Sequence, residues 1–155
     1  MGTVTYPNEK VETELNESFI PVKLVSADHA ELARKMNVRW LPGLVVCDAD
    51  ERPAHVVIGY LPPSDFRAEL AFGRAIIAMG EKRYEDAYEL FRGVAEGENE
   101  RSAEAYYWWG IAAVRHKKTN DAYREHWQKI VEKFPKSQTA RKVAFVLQKL
   151  GSGSS

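Results

Sequence analysis

The sequence predicts a mixed α/β chain, with strands and helices sharing the first part and helices alone making up the rest. Three observations carry this expectation. Apolar and β-forming residues gather in "FIPVKLV", "LVVCD" and "AHVVIGY", all before residue 61, and short runs of that kind read as strands. From Asp65 onward no strand signal remains, and apolar residues recur at spacings of three and four, the helical period. The breakers Leu41-Pro42-Gly43, within the first regime, and Leu61-Pro62-Pro63, at its end, punctuate strands and set helix starts.

The elements follow in order. Asn8 is a plausible helix cap, and Val11, Leu15 and Phe19 repeat every four residues behind it, so Pro7–Phe19 reads as a turn leading into a short amphipathic helix. Phe19–Val25 reads as a strand. In "SADHAELARKMNV" Ser26 or Asp28 caps a short helix that turns Leu32, Ala33 and Met36 inward. The Leu41-Pro42-Gly43 turn leads into the strand "LVVCD", "ADERP" makes a hairpin loop, and Ala54–Tyr60 returns. Ser64 caps the next helix because the two prolines before it block an earlier start. Helices are expected at Asp65–Met79, Tyr84–Ala95, Ser102–His116, Thr119–Phe134 and Ser137–Leu150. "GSGSS" reads as a flexible tail over residues 151–155.

Bulk properties narrow the function. A chain of 155 residues with 45% hydrophobic and 28% charged residues has a globular composition, suited to one domain or two small modules. No apolar run nears the roughly 18 residues that span a bilayer, and no secretory signal is visible, so the expectation is a cytoplasmic protein without a membrane partner. One cysteine excludes an internal disulfide framework and a multi-cysteine zinc site. The net charge is zero, yet Met1–Phe66 holds 6 Lys/Arg against 10 Asp/Glu while the remainder holds 16 against 12. The basic excess reads as solvated helix faces rather than a nucleic-acid surface, because no aromatic-interleaved groove accompanies it. His29, His55, His116 and His126 show no ligand spacing, and "DADE" lacks the loop length of a calcium site. No metal, cofactor or catalytic residue is expected.

The helical part repeats. "KRYEDAYELF" and "KKTNDAYREHW" share a Lys-x-x-x-Asp-Ala-Tyr core, with Ala87 and Ala122 35 positions apart. That is close to the 34-residue period of a tetratricopeptide array, which this region resembles. Small residues let paired helices approach, Ala75 with Ala87 and Gly110 with Ala122, and the helix over Ala140–Leu150 closes the stack as a cap. In "AEAYYWWGIAAV", Tyr106, Trp109, Gly110 and Ala113 face the neighbouring helix. Tyr107, Ile111, Val114 and Arg115 are left for the inner side, with Phe72, Ile76 and Met79 as the matching residues of the first unit. The resemblance implies a peptide-binding concave side, although with so few repeats the favoured expectation is that the first domain fills it and these side chains pack there. His126 takes a repeat position usually filled by an aromatic, which implies packing.

The first part carries a second resemblance. "VTYPNEKVETELNESFIPVKLV", "AELARKMNVRWLPGLVV" and "HVVIGYLPPSDFRAEL" are similar to the distal part of bacterial thioredoxin-fold proteins with a C-terminal tetratricopeptide-like extension. This resemblance implies a cis bond at Leu41–Pro42, in the turn that faces the active-site disulfide, and one sheet joining the three strands. The family usually carries Thr after this proline, where this chain has Gly43. In the family a Cys-x-x-Cys pair stands just before a segment similar to "MGTVTYP"; Met1 falls inside that segment, so the expectation is a truncated sheet without its N-terminal strand and cysteine pair. Cys47, in an apolar strand without a resolving thiol, reads as a small core hydrophobe. The vacant place can be met by "TVTY" folding back, by "IPVKLV" pairing with "GLVVC", or by a second chain sharing strands. Trp40 either contacts an extended partner peptide together with Leu41, Pro42 and Gly43, or covers the open end of the sheet.

The expected organisation is thus an incomplete thioredoxin-like domain over 1–79 and a tetratricopeptide-like module over 80–150. The expected function is a non-catalytic protein-interaction module that binds a protein or peptide and self-associates through its sheet. The alternative is the remainder of a thiol–disulfide oxidoreductase whose Cys-x-x-Cys lies upstream.

Overall fold

The computed structural model describes residues 1–151. The expected tail from 152 onward lies outside them, while Gly151 closes the last helix. In chain order the elements are α1 (Glu9–Ser18), α2 (Ala30–Lys35), β1 (Gly43–Cys47), β2 (Pro53–Ile58), α3 (Pro63–Gly80), α4 (Tyr84–Glu96), α5 (Ser102–Lys117), α6 (Arg124–Lys133) and α7 (Gln138–Gly151). The fold is mixed α/β, mostly helical, with one two-stranded antiparallel sheet among the described residues. None of its helices is long and apolar enough to cross a membrane. The chain divides into two compact units, Met1–Gly73 and Arg74–Ser155. The division falls inside α3, earlier than the break after Met79 that the sequence suggests.

Unit 1 opens with a turn rather than with a strand that folds back. Thr5 and Tyr6 both donate backbone bonds to the Met1 carbonyl, and the fully buried Thr5 donates its hydroxyl to the Leu61 carbonyl at 2.6 Å. Asn8 caps α1 as expected, its Oδ1 accepting from Lys10 N and Val11 N, which satisfies two of the four orphan donors at a helix start. Val11 is then buried and anchors the helix. At α2 the cap residue is His29, without a side-chain cap bond, not Ser26 or Asp28. Pro63, not a residue after Ser64, begins α3: its missing N–H is one of the donors a helix start leaves unpaired anyway, and the Pro62 carbonyl accepts from Phe66 N.

The expected three-stranded sheet is not formed. β1 and β2 pair in register Gly43↔Ile58 through Val46↔His55, with an irregularity at Cys47. Phe19–Val25 is neither strand nor helix. Among the described residues Ile20–Leu24 neither donate nor accept a backbone hydrogen bond. The physical reason is that alternation sets which side chains share a face, whereas a strand exists only through a partner. Here "IPVKLV" does not pair with "GLVVC". One face of β1 is covered by α3: a Cβ on Gly73 would fall 2.8 Å from Val46 Cβ, so only glycine allows that approach.

Unit 2 is a run of helices in which α4 packs on α5, α5 on α6 and α6 on α7. Tyr106, Trp109, Gly110 and Ala113 are all buried, as the helical spacing predicts. Ala75 and Ala87 are fully buried. Gly110, however, makes room for Trp127 and Tyr123 instead of Ala122: its Cβ would lie 2.7 Å from Trp127 Nε1. Ala122 sits in a turn, because Thr119–Tyr123 is not helical. Lys118 ends α5 in the left-handed region (φ 56°), and the following bonds, Ala122 N to Thr119 O and Arg124 N to Asp121 O, span three residues rather than four.

Candidate protein-interaction site

The turn between α2 and β1 is built by local bonds. Asn37 takes a positive φ of 58°, a conformation asparagine tolerates, and its Oδ1 accepts from Arg39 Nε at 3.1 Å. Val38 N donates to the Ala33 carbonyl, which folds the chain back over α2. The Leu41–Pro42 bond is cis, and the Pro42 carbonyl accepts from Gly59 N at 2.7 Å, tying the turn to the end of β2. Gly43 follows, and a Cβ there would meet Val38 Cγ1 at 2.6 Å, so a larger residue requires Val38 to shift.

This construction leaves its apolar side chains outside. Trp40 is 76% exposed and Leu41 57%, and Pro42 is exposed as well. Trp40 therefore does not close the end of the sheet. It borders an open cleft of about 530 Å³, lined among others by Ser26, Ala33, Arg34, Val38 and Leu41. The turn leads directly into β1, whose side away from β2 has no strand on it among the described residues. β1 carries no charge and no proline, two of the devices that guard an open edge, although it is short and irregular at Cys47. β2, in contrast, begins at Pro53 and follows Arg52.

The other predicted residues divide. Phe72 is buried, its ring 5.1 Å from that of His55, so it is spent on the core of unit 1 and offers no peptide contact. Ile76 is half-buried in unit 2. Tyr107 stacks on Trp127 at 5.0 Å, and its carbonyl accepts from Trp127 Nε1. Ile111 and Arg115 line a shallow depression of about 480 Å³ with Val114, Tyr123, Trp127 and Val146. Of the nine residues, the structure thus gathers Trp40–Gly43 in unit 1 and Tyr107, Ile111 and Arg115 in unit 2.

Cys47 is half-exposed rather than buried, and its thiol is pushed up, first by desolvation and then by Asp48 and Glu51. A raised pKa keeps it protonated at neutral pH, the opposite of an activated nucleophile. Among the described residues no group of three or more His, Cys, Asp or Glu is placed to hold a metal ion.

Two buried polar features carry no sequence signal. His55 Nε2 lies 2.6 Å from Glu69 Oε2, both side chains nearly enclosed; the pairing joins β2 to α3 and depends on the fold. In unit 2, His126 is 2% exposed, with its ring centroid 4.2 Å from that of Trp109 and 6.1 Å from that of Tyr88. Neither of its ring nitrogens has a hydrogen-bond partner among the described residues. Burial lowers its pKa to about 4, so it packs as a neutral ring.

No family model matches the sequence, and no curated protein and no solved structure matches the chain.

Proposed function

We propose that this chain is a non-catalytic protein-interaction module that receives an extended segment of a protein along the free edge of β1, beside Trp40 and Leu41. The observation that carries this is the combination of an uncharged strand edge without a strand partner with an adjoining turn whose apolar residues face solvent. Main-chain bonds to an open edge supply affinity and neighbouring pockets supply selectivity; an exposed indole is an effective anchor. The order α1, unpaired segment, α2, proline turn, β1, β2, α3 supports a thioredoxin-like reading of unit 1. The successive packing of α4 to α7 supports a tetratricopeptide-like reading of unit 2. Catalysis of thiol–disulfide exchange needs an attacking thiolate and a resolving thiol, and Cys47 is the only thiol in the 155 residues.

A peptide array tests the reading. Wild type is expected to retain uncharged extended peptides, and Trp40→Ala with Leu41→Ser to bind them about tenfold more weakly, the size of one good apolar contact. Equal binding by the two proteins, or turnover in an insulin-reduction assay, would overturn it.

A further inference from the structure

Unit 1 holds two separate stretches of strand-forming chain without a strand partner. One is the free side of β1. The other is Ile20–Val25, which exposes Ile20 at 93%, Val22 at 72%, Leu24 at 47% and Val25 at 60%. Exposure of this kind is costly, since apolar surface left in water forgoes the gain of burial.

We propose that a second copy of this chain covers β1, donating its own Ile20–Val25 as the neighbouring strand while receiving the same contact in return. This rests on the reading that the edge of β1 is the binding element, and names its partner. Three features select a second copy. The first is pattern. Ile20, Val22 and Leu24 share one face at the two-residue period, and the backbone groups of these same residues point to one edge. That edge is fully equipped, whereas the opposite edge loses a donor at Pro21.

The second is charge. β1 has none, and the donated segment brings only Lys23. The hairpin turn that follows β1 carries Asp48, Asp50 and Glu51, and among the described residues neither Lys23 nor Glu51 forms an ion pair. The segment brings no carboxylate against that acidic turn, whose one cation, Arg52, is paired with Asp48 and Asp50.

The third is symmetry. The donated segment and the receiving edge belong to the same unit, so one twofold axis makes both contacts at once and closes the assembly. The apolar residues of both copies leave water in the same step.

Sedimentation equilibrium tests this with three samples. Wild type is expected to be a dimer at about 100 µM, where a complex of roughly 10 µM affinity is mostly assembled. The double variant Val22→Glu with Leu24→Glu is expected to be a monomer with an unchanged circular dichroism spectrum, since both side chains are already in solvent. A synthetic peptide of residues 19–25 is expected to dissociate the wild-type dimer. A wild type that stays monomeric, or a double variant that still dimerises, overturns the proposal. The reading of the β1 edge is judged separately, by adding peptides to the monomeric double variant and following hydrogen exchange of Gly43–Cys47: protection by unrelated extended peptides but not by the 19–25 peptide would leave that reading standing without the dimer, and no protection by either would remove both.

Discussion

Unit 1 and unit 2 are of similar length, yet among the described residues buried apolar ones number six in the first, from Val11 to Phe72, and fifteen in the second, from Ala75 to Val143. The exposed side divides the other way. Of the large apolar residues left in solvent among the described residues, nine lie in unit 1 and only Phe145 and Val146 lie in unit 2. The difference follows from where each unit finds its backbone partners. A helix satisfies its own N–H and C=O groups, so burying one stripe of α4, α5 and α6 suffices. A strand must borrow partners from another strand. In unit 1 that need is met on one side of β1 and nowhere along Ile20–Leu24.

The comparison can be broken in four places. The largest effect is expected in the dense unit. Phe91 is fully buried and stacks near Trp108, so Phe91→Ala should cost about 3–5 kcal/mol. The check is urea denaturation followed by hydrogen exchange in α5, and protection in β1 and β2 reports whether the loss stays local.

Next comes acid. His126 is neutral in the fold with a pKa of about 4, against an ordinary value of 6.5. Desolvation between the Trp109 and Tyr88 rings is the main cause. Glu125 opposes it, while Lys129 and Lys117 add to it. Above pH 6.5 neither folded nor unfolded chain binds the proton. Between 6.5 and 4 the unfolded chain binds it first, so stability falls through that window by up to roughly 3 kcal/mol, at 1.36 kcal/mol per unit. His126→Phe should flatten this part of the pH profile of α5 and α6. An unchanged profile would show that other groups carry the pH dependence.

A smaller loss is expected in unit 1 from Gly73→Ala. The added methyl meets Val46 at 2.8 Å, and overpacking of this kind costs about 1–3 kcal/mol. Thermal unfolding read at the sheet measures it. The smallest effect on stability should come from Trp40→Ala, within about 0.5 kcal/mol, as for other exposed positions. That residue should matter for binding and hardly at all for folding.

The same contrast explains what could be read before any coordinates. The buried face of α5, with Tyr106, Trp109, Gly110 and Ala113, was legible because helical spacing is local information. So was the Asn8 cap, which needs only the next three residues. The turn at Leu41-Pro42-Gly43 was legible as a breaker between helix and strand. Phe19–Val25 has the pattern of a strand but forms none, because pairing depends on residues far along the chain. Thr119–Tyr123 kept a helical repeat signature but turned instead, after the left-handed Lys118. The burial of Phe72 against His55, and of His126 between two rings, follows from packing across elements that no spacing rule encodes.

Hydrogen exchange at β1, followed as protein concentration rises, tests the central claim most directly. The amides of Gly43–Cys47 that point away from β2 should exchange freely in dilute protein and gain protection as copies associate, while those of α5 stay slow throughout. Equal protection of both sets at every concentration would mean that the edge is already satisfied, and would contradict the account.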